Sequence, residues 1–120
     1  MIFNFEKFKR IAVKAYRQVD NPIFDLEEVL IIFGWYFYRY EQMRREPHPP
    51  IRTEQVERLI EEMPYCEGMS GDLLELYPED YAAMIDQYFK TRYRNCDYNI
   101  NHFFSGQIRS VKLYETSKNQ

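Results

Sequence analysis

The chain has 120 residues, a formal net charge of −3 at pH 7 and a sequence pI of about 5.4, and this length suits a single domain spanning residues 1–120. Nine phenylalanines, eleven tyrosines and one tryptophan are available for a core, and each tyrosine hydroxyl must stay hydrated or find a partner. Because no run of 18 uncharged apolar residues occurs, the sequence predicts no segment that crosses a membrane.

A first helix is predicted over residues 5–18, because apolar side chains recur there at helical spacing. They are Phe5, Phe8, Ile11, Ala12, Ala15, Tyr16 and Val19. A basic stripe lies on the opposite face and consists of Lys7, Arg10, Lys14 and Arg17. The Asp-Asn-Pro segment at 20–22 should end this helix, since proline disfavours helical geometry in the residue before it.

The organising element is a predicted aromatic-rich helix over residues 25–45. Asp25 is its N-cap and Glu28 follows three residues later, which is a variant of the capping box. Residues 29–38 (VLIIFGWYFY) carry no charge, so the helix is apolar on nearly all sides and should lie at the centre of the fold. Gly34 costs about 1 kcal/mol relative to alanine in a helix and predicts the close approach of another helix.

This helix has more apolar surface than one buried face requires. Leu30, Phe33, Tyr36, Phe37 and Tyr40 suffice for one face. A second face then carries Ile31, Trp35 and Tyr38. Either the terminal helices or another molecule must cover this second face, and we expect the terminal helices to do so.

Shorter elements follow the aromatic helix. Residues 47–50 (PHPP) form a stiff extended connector. A helix over residues 53–63 buries Val56, Leu59, Ile60 and Met63, and its opposite face carries solvated carboxylates. Residues 65–71 are predicted as a loop and 72–76 as one helical turn.

A further helix over residues 78–92 begins with Pro78 and acidic residues, a typical helix start. It buries Tyr81, Met84, Ile85, Tyr88 and Phe89. Residues 95–97 are a turn, and residues 100–115 contain a short helix or, alternatively, a small β element at 111–113. Residues 116–120 are expected to be a frayed tail. The predicted fold class is therefore all-α, a small bundle of four to six helices around residues 25–45.

No metal or cofactor site is predicted. The soft candidate ligands Cys66, Cys96, His48 and His102 stand apart in the sequence, whereas closed zinc sites usually draw two ligands from one local turn. A Cys/His pair could form from Cys96 and His102, or from Cys66 and His48, but no motif supports either pair. With no Gly-rich phosphate loop and no G-x-S-x-G motif, the protein is expected to be non-enzymatic, with no evident small-molecule substrate.

A reduced, cytoplasmic protein is expected. Charged side chains at Glu6, Lys7, Lys9 and Arg10 interrupt the first residues before a secretory apolar region can form. The two cysteines are too few for a disulfide framework.

Charge is unevenly distributed along the chain. Residues 51–89 carry ten acidic and two basic side chains, whereas residues 90–120 carry six basic and two acidic ones. In the C-terminal segment the basic groups are interleaved with aromatic ones, the chemistry that contacts phosphates and stacks on bases. If residues 106–115 are helical, Ile108, Val111 and Tyr114 face inward and Arg109 and Lys112 face outward.

The sequence therefore predicts an accessory or regulatory protein that binds DNA or RNA. The expected contacts are Arg92, Arg94, Arg109 and Lys112, joined by Lys7, Arg10 and Lys14. The acidic pI is unusual for such a domain. The alternative is a protein-interaction module, a small subunit or an inhibitor, that makes no contact with nucleic acid. Such a module would bind a protein partner or form a homo-oligomer.

Overall fold

The computed structural model describes residues 3–118 and confirms a mostly helical fold. Six α-helices and a two-stranded antiparallel sheet occur in this range. The elements in chain order are α1 (Phe5–Gln18), α2 (Leu26–Arg44), α3 (Thr53–Glu62), β1 (Tyr65–Glu67), β2 (Leu73–Glu75), α4 (Tyr81–Lys90), α5 (Ile100–Phe103) and α6 (Ile108–Lys118). A 3₁₀ turn at Pro78–Asp80 leads into α4.

The first two helices begin at capping side chains, which supply acceptors for backbone N–H groups that have no partner within the helix. The Asn4 side chain accepts from the N–H of Lys7 at the start of α1. The predicted capping box of α2 is present, because Asp25 accepts from the N–H of Glu28 at 2.8 Å while Glu28 accepts from that of Asp25 at 2.9 Å. Both predicted helix starts are therefore confirmed.

Helix α2 is the central element of the core. Its buried side chains are Val29, Ile32, Phe33, Tyr36, Phe37 and Tyr40. Helices α1 and α4 pack against α2, while α3 packs on α1 and α6 packs on α4. None of the described helices is both long and apolar enough to cross a bilayer.

Buried tyrosines find the hydrogen-bond partners that their hydroxyls require. Tyr36 donates to the carbonyl of Tyr98, and Tyr81 donates to that of Met63, each at 2.6 Å. Tyr98 donates in turn to the carbonyl of Thr91 at 2.7 Å. These bonds reconcile an unusually tyrosine-rich core with the rule that buried polar groups are paired.

The predicted loop and helical turn over residues 65–76 are instead a β-hairpin. Strand β1 pairs antiparallel with β2, and the N–H of Gly68 donates to the carbonyl of Asp72 at 2.7 Å. Gly71 adopts a φ of +83°, which glycine tolerates without a steric penalty. Burial of Cys66 and Leu76 against the helices holds the hairpin in place. Of the two alternatives for the C-terminal segment, the helix is the correct one, since residues 111–113 lie inside α6 and form no strand.

The prediction for α4 is confirmed on its buried face. All five side chains predicted to face the core are buried, and the helix ends two residues earlier than expected, with Thr91 as its C-cap. Helix α6 extends to Lys118, so residues 116–118 are helical rather than frayed. The rest of the predicted tail, residues 119–120, lies outside the described residues.

Candidate functional site

The seven cations predicted to contact nucleic acid fall into three groups. Lys7, Arg10 and Lys14 are exposed on α1, and Arg92 and Arg94 are exposed after α4. Arg109 and Lys112 on α6 are buried. The last two are therefore unavailable to a phosphate backbone in this fold.

Arg109 is only 4% exposed and lies beneath α6. Its Nη1 donates to the carbonyl oxygen of Glu62 at 2.8 Å and to the hydroxyl oxygen of Tyr81 at 2.9 Å. The guanidinium also lies 4.5 Å from the centroid of the Phe104 ring, a cation–π distance. Arg109 thus fastens α6 to the end of α3 and the start of α4.

Lys112 is 3% exposed. It contacts the C-terminal end of α4, whereas Arg109 contacts its start. Its Nζ donates to Thr91 Oγ1 at 2.6 Å and to Glu115 Oε1 at 2.9 Å, and it lies 5.5 Å from the Tyr93 ring centroid. The hydrogen bond from Lys112 holds the pKa of Glu115 below its usual value. Lys112 is therefore part of an internal ion pair.

The predicted orientation of α6 is wrong. Arg109 and Lys112 face the core, whereas Tyr114 is 53% exposed and Val111 is half-buried. The two cations donate to carbonyl and hydroxyl acceptors beneath α6 and to the Glu115 carboxylate of α6 itself, and the methylene stems of such side chains can cover apolar surface. Helical spacing identifies the two faces of α6, but it does not say which face is buried. That depends on the acceptors for Arg109 and Lys112 that other elements supply.

Helix α1 retains the exposed basic stripe that the sequence predicts, Lys7, Arg10, Lys14 and Arg17, which we call the α1 basic face. A shallow cleft of about 330 Å³ on this side is lined mainly by cations. Its lining residues are Glu6, Lys9, Arg10, Val13, Lys14 and Arg17. Within residues 3–118, no ion pair joins the α1 basic face to the carboxylates of α3.

An apolar groove of about 660 Å³ lies over the second face of α2. Its floor includes Ile31, Gly34 and Trp35; one wall includes Phe5 and Lys9 of α1, and the other runs from Pro78 into α4. We call this feature the α2 groove. Ile31 is 63% exposed there and Tyr38, one turn beyond Trp35, is 53% exposed. The expectation that the terminal helices cover this face is therefore wrong.

The Phe5 ring of α1 lies against α2 at Gly34, the position from which the sequence predicts the close approach of another helix. A Cβ atom at Gly34 would be 3.5 Å from the Phe5 ring, so the close approach involves a side chain at ordinary contact distance. A smaller cleft shares Phe5 and Gly34 with the α2 groove and extends to Tyr38. The apolar surface therefore continues along α2 from Ile31 to Tyr38.

Trp35 is half-buried in the floor of the α2 groove. Its Nε1 donates to Asp86 Oδ1 of α4 at 2.8 Å, and its ring centroid is 5.5 Å from that of Tyr38. The Nε of Arg39 lies 3.4 Å from the same Asp86 oxygen. The indole ring is therefore oriented by α4 while part of it remains accessible from the groove.

The charged side chains that line the α2 groove differ between its walls. Lys9 lies on the α1 side, whereas Glu79 belongs to the wall before α4 and Glu27 to the first turn of α2. An apolar strip with cationic and anionic side chains at its borders can both bind and orient a partner, because opposite charges fix register.

A third arrangement brings together Cys96, His102 and Tyr88, which we call the thiol cluster. Cys96 Sγ lies 3.4 Å from His102 Nδ1. The Tyr88 hydroxyl oxygen lies 2.8 Å from the same nitrogen and 3.9 Å from Cys96 Sγ. The Cys96/His102 pair was one of two that the sequence allowed, but Tyr88 carries no sequence signal beyond its place on the buried face of α4.

The loop that carries Cys96 is held in an unusual conformation. Tyr98 has a φ of +60°, which is sterically strained for a bulky residue. Its N–H donates to Cys96 Sγ at 3.2 Å, and its hydroxyl accepts from the N–H of Tyr93 at 2.9 Å. Together with the bonds from Tyr36 and to Thr91, these contacts fix the position of the thiol.

Cys66 and His48, the other pair that the sequence allowed, do not form a comparable site. Cys66 is buried on β1, and burial raises the pKa of its thiol. In the part of the chain that the structure describes, no three His, Cys, Asp or Glu side chains form a metal-binding group.

No protein family, curated protein or solved structure matches this chain. Function must therefore be inferred from the α2 groove, the α1 basic face and the thiol cluster.

Proposed function

We propose that this protein is a non-enzymatic protein-interaction module that binds an amphipathic helix of a partner in the α2 groove. The observation that carries the proposal is the exposure of Ile31 and Tyr38 on the central helix of the fold. Large apolar side chains that line one continuous surface mark interaction sites more often than isolated exposed ones do.

A helix is the partner structure that fits this surface best. Ile31, Trp35 and Tyr38 follow one another at i, i+4 and i+7 and so form a straight apolar strip along α2. The walls from α1 and from the segment before α4 border this strip at Ile31 and Trp35, and a smaller cleft beside Phe5 continues it to Tyr38. An amphipathic helix presents the same spacing and can lay its apolar face into such a groove.

The charges at the borders of the groove define the partner further. A helix bound in the groove would place basic side chains toward Glu27 and Glu79 and an acidic one toward Lys9. Trp35 would supply an aromatic anchor whose orientation is already set by Asp86, and such pre-oriented aromatic side chains are frequent binding hot spots.

The test is selection of binding peptides from a library of amphipathic helices displayed on phage. Peptides that bind the wild-type protein are counter-screened against Ile31→Glu, and Leu73→Glu is the matched control. Leu73 is 73% exposed on β2, outside the groove, so it receives the same charge without affecting the groove. Emission of Trp35, the one tryptophan of the chain, reports whether a peptide occupies this surface.

Helical peptides that bind wild type and Leu73→Glu, shift Trp35 emission and lose affinity at least about tenfold for Ile31→Glu support the proposal. Peptides that bind all three proteins equally, or no enrichment at all, contradict it. Concentration-dependent dimers that Ile31→Glu dissociates would identify a second copy of this chain as the occupant and overturn the proposal of a separate partner helix.

A second candidate function is DNA or RNA binding through the α1 basic face. It is supported by the exposure of Lys7, Arg10 and Lys14 beside the cation-lined cleft. Arg92 and Arg94 provide a separate exposed pair after α4. Each phosphate contact should contribute a salt-dependent term to the affinity.

This second function is tested by fluorescence anisotropy with labelled single- and double-stranded DNA and RNA at low and high salt. The variant Arg10→Glu/Lys14→Glu should abolish binding, while Arg44→Glu/Arg52→Glu, at exposed positions outside the predicted contacts, serves as a control with the same change in net charge. Binding that both double variants reduce equally reflects net charge alone and contradicts a specific role for α1. No binding at low salt excludes the function.

A further inference from the structure

We propose that the thiol cluster binds a thiophilic divalent metal ion such as Zn²⁺ through Cys96 Sγ, His102 Nδ1 and the Tyr88 hydroxyl oxygen. This site is independent of the α2 groove and of the α1 basic face. It would be open, with three protein donors and a fourth position for water or another ligand.

The distances among the three donor atoms fit a single tetrahedral ion. Bonds of about 2.3 Å to sulfur and 2.0–2.1 Å to nitrogen or oxygen place tetrahedral donors roughly 3.3–3.6 Å apart. Cys96 Sγ and His102 Nδ1 are already 3.4 Å apart. The Tyr88 oxygen, at 2.8 Å from the nitrogen and 3.9 Å from the sulfur, needs to move by about half an ångström to reach this geometry.

The donor types define the class of metal. A thiolate with an imidazole favours Zn²⁺ or a similar borderline-soft ion over Mg²⁺ or Ca²⁺, which prefer oxygen ligands. On binding, the Cys96 thiol loses its proton to solvent as the sulfur–metal bond forms, and His102 coordinates through its Nδ1 lone pair. The Tyr88 hydroxyl keeps its proton, gives up its hydrogen bond with Nδ1 and coordinates through an oxygen lone pair. The N–H of Tyr98, which donates to Cys96 Sγ, would stabilise the charge on the thiolate as outer hydrogen bonds do in metal sites.

The site is both accessible and held in place. Cys96 and His102 are each half-buried, so an ion can approach their donor atoms from solvent, whereas Tyr88 is buried and contributes its hydroxyl from the core. Tyr88 is fixed on α4, and the loop of Cys96 is fixed by the hydrogen bonds of Tyr98. Cys96 and His102 are already at the separation that the metal requires and Tyr88 needs only a small shift, so the donors lose little conformational entropy when the metal binds.

The other cysteine and histidine of the chain supply an internal control. Cys66 is buried on β1. His48 is also buried, and both of its ring nitrogens are engaged with backbone groups. Neither is available to a metal ion in the folded protein, so binding by the native state should depend on Cys96.

The first experiment is titration of reduced, tag-free protein with Co²⁺ and then Zn²⁺, with far-UV circular dichroism to verify folding. Wild type and Cys66→Ser should develop a thiolate-to-cobalt charge-transfer band that Zn²⁺ removes, whereas Cys96→Ser should not. Tyr88→Phe should retain the band but bind at least about tenfold more weakly. A band that persists in Cys96→Ser, or no band in wild type and Cys66→Ser, overturns the proposal.

A second measurement leaves all three donors intact. In Cys66→Ser the remaining thiol is Cys96, so its rate of reaction with an aromatic disulfide reagent can be measured with and without Zn²⁺. We expect Zn²⁺ to slow the reaction at least about tenfold, because the coordinated sulfur is less available as a nucleophile. An unchanged rate contradicts metal binding at this cluster.

Discussion

The backbone N–H of Ile100 donates a 3.0 Å hydrogen bond to Nε2 of His48, which precedes it by 52 positions. The other ring nitrogen, Nδ1, lies 2.8 Å from the carbonyl oxygen of Pro49. Because Nε2 accepts, Nδ1 carries the proton and donates to that carbonyl, so the buried imidazole is neutral. This pair of bonds fastens the connector at 47–50 to the start of α5.

His48 should make the stability of the protein sensitive to pH. Burial lowers the pKa of His48 from 6.5 to about 4 in the folded protein, against a smaller opposing effect of the bond to Pro49. The unfolded chain therefore binds more protons than the folded one between these values. The contribution of neutral His48 to the free energy of unfolding is therefore fully present above pH 6.5 and is lost as the pH falls toward 4. Its total is on the order of 3 kcal/mol.

This prediction is checked by urea unfolding at several pH values between 7 and 4. His48→Gln is the comparison, because it keeps hydrogen-bonding groups but cannot gain a proton in this range. The free energy of unfolding of wild type should fall more steeply with acidification than that of the variant. Parallel curves for the two proteins would show that His48 is not the group responsible.

Arg109 should act as a structural side chain. Arg109→Ala removes the hydrogen bonds to Glu62 and Tyr81 and opens a cavity beside Phe104, so we expect a loss of about 2–4 kcal/mol in the free energy of unfolding. Arg109→Met should lose less stability than Arg109→Ala. The Nε of Arg109 lacks a partner in the described chain, and a methionine of similar length fills the space while removing the buried charge. Arg92→Ala, at an exposed position, should change stability by less than about 0.5 kcal/mol. Equal effects of Arg109→Ala and Arg92→Ala in urea unfolding would refute this role.

Gly34→Ala should stabilise the protein. The added Cβ atom meets the Phe5 ring at 3.5 Å, and alanine in a helix interior is favoured over glycine by up to about 1 kcal/mol. Gly68→Ala should destabilise it, since a Cβ atom there displaces the Asp72 side chain and lies only 3.3 Å from the Asp72 carbonyl oxygen, which already accepts from the N–H of Gly68. Thermal or urea unfolding distinguishes the two variants by the sign of the change, and a loss of stability in Gly34→Ala would mean that Phe5 has no room to accommodate a methyl group.

The capping box of α2 should contribute measurably to stability. Asp25→Ala removes the acceptor for the N–H of Glu28 and should lower the free energy of unfolding by about 1 kcal/mol. Asp20→Ala is a matched control at an exposed position outside any helix. Similar small effects of the two substitutions in urea unfolding would show that the cap is dispensable.

The elements best predicted from sequence are those whose signals are local. Helical periodicity and the stop at 20–22 identified α1 with the bounds that the structure has. Asp25 and Glu28 identified the start of α2 because a capping box needs only residues of one turn. The apolar spacing of residues 81–89 identified α4, and the predicted start at Pro78 is the 3₁₀ turn that leads into it.

The hairpin at 65–75 was missed for the opposite reason. Its strands have three residues each, too few for alternation to be read from sequence. The contacts that bury Cys66 come from distant helices. Gly68 and Gly71 marked a turn, but a turn alone does not tell a hairpin from a loop.

Periodicity, caps and charge are properties of neighbouring residues, so the amino-acid sequence is enough to predict the helical class, the apolar character of α2 and the two basic segments. Tertiary structure alone decided that Arg109 and Lys112 turn inward, since their acceptors Glu62, Tyr81 and Thr91 lie on other elements. It also decided that Ile31 and Tyr38 remain exposed and that Tyr88 joins Cys96 and His102. Which face of a helix is covered, and which donors meet, depend on packing between residues far apart in the chain.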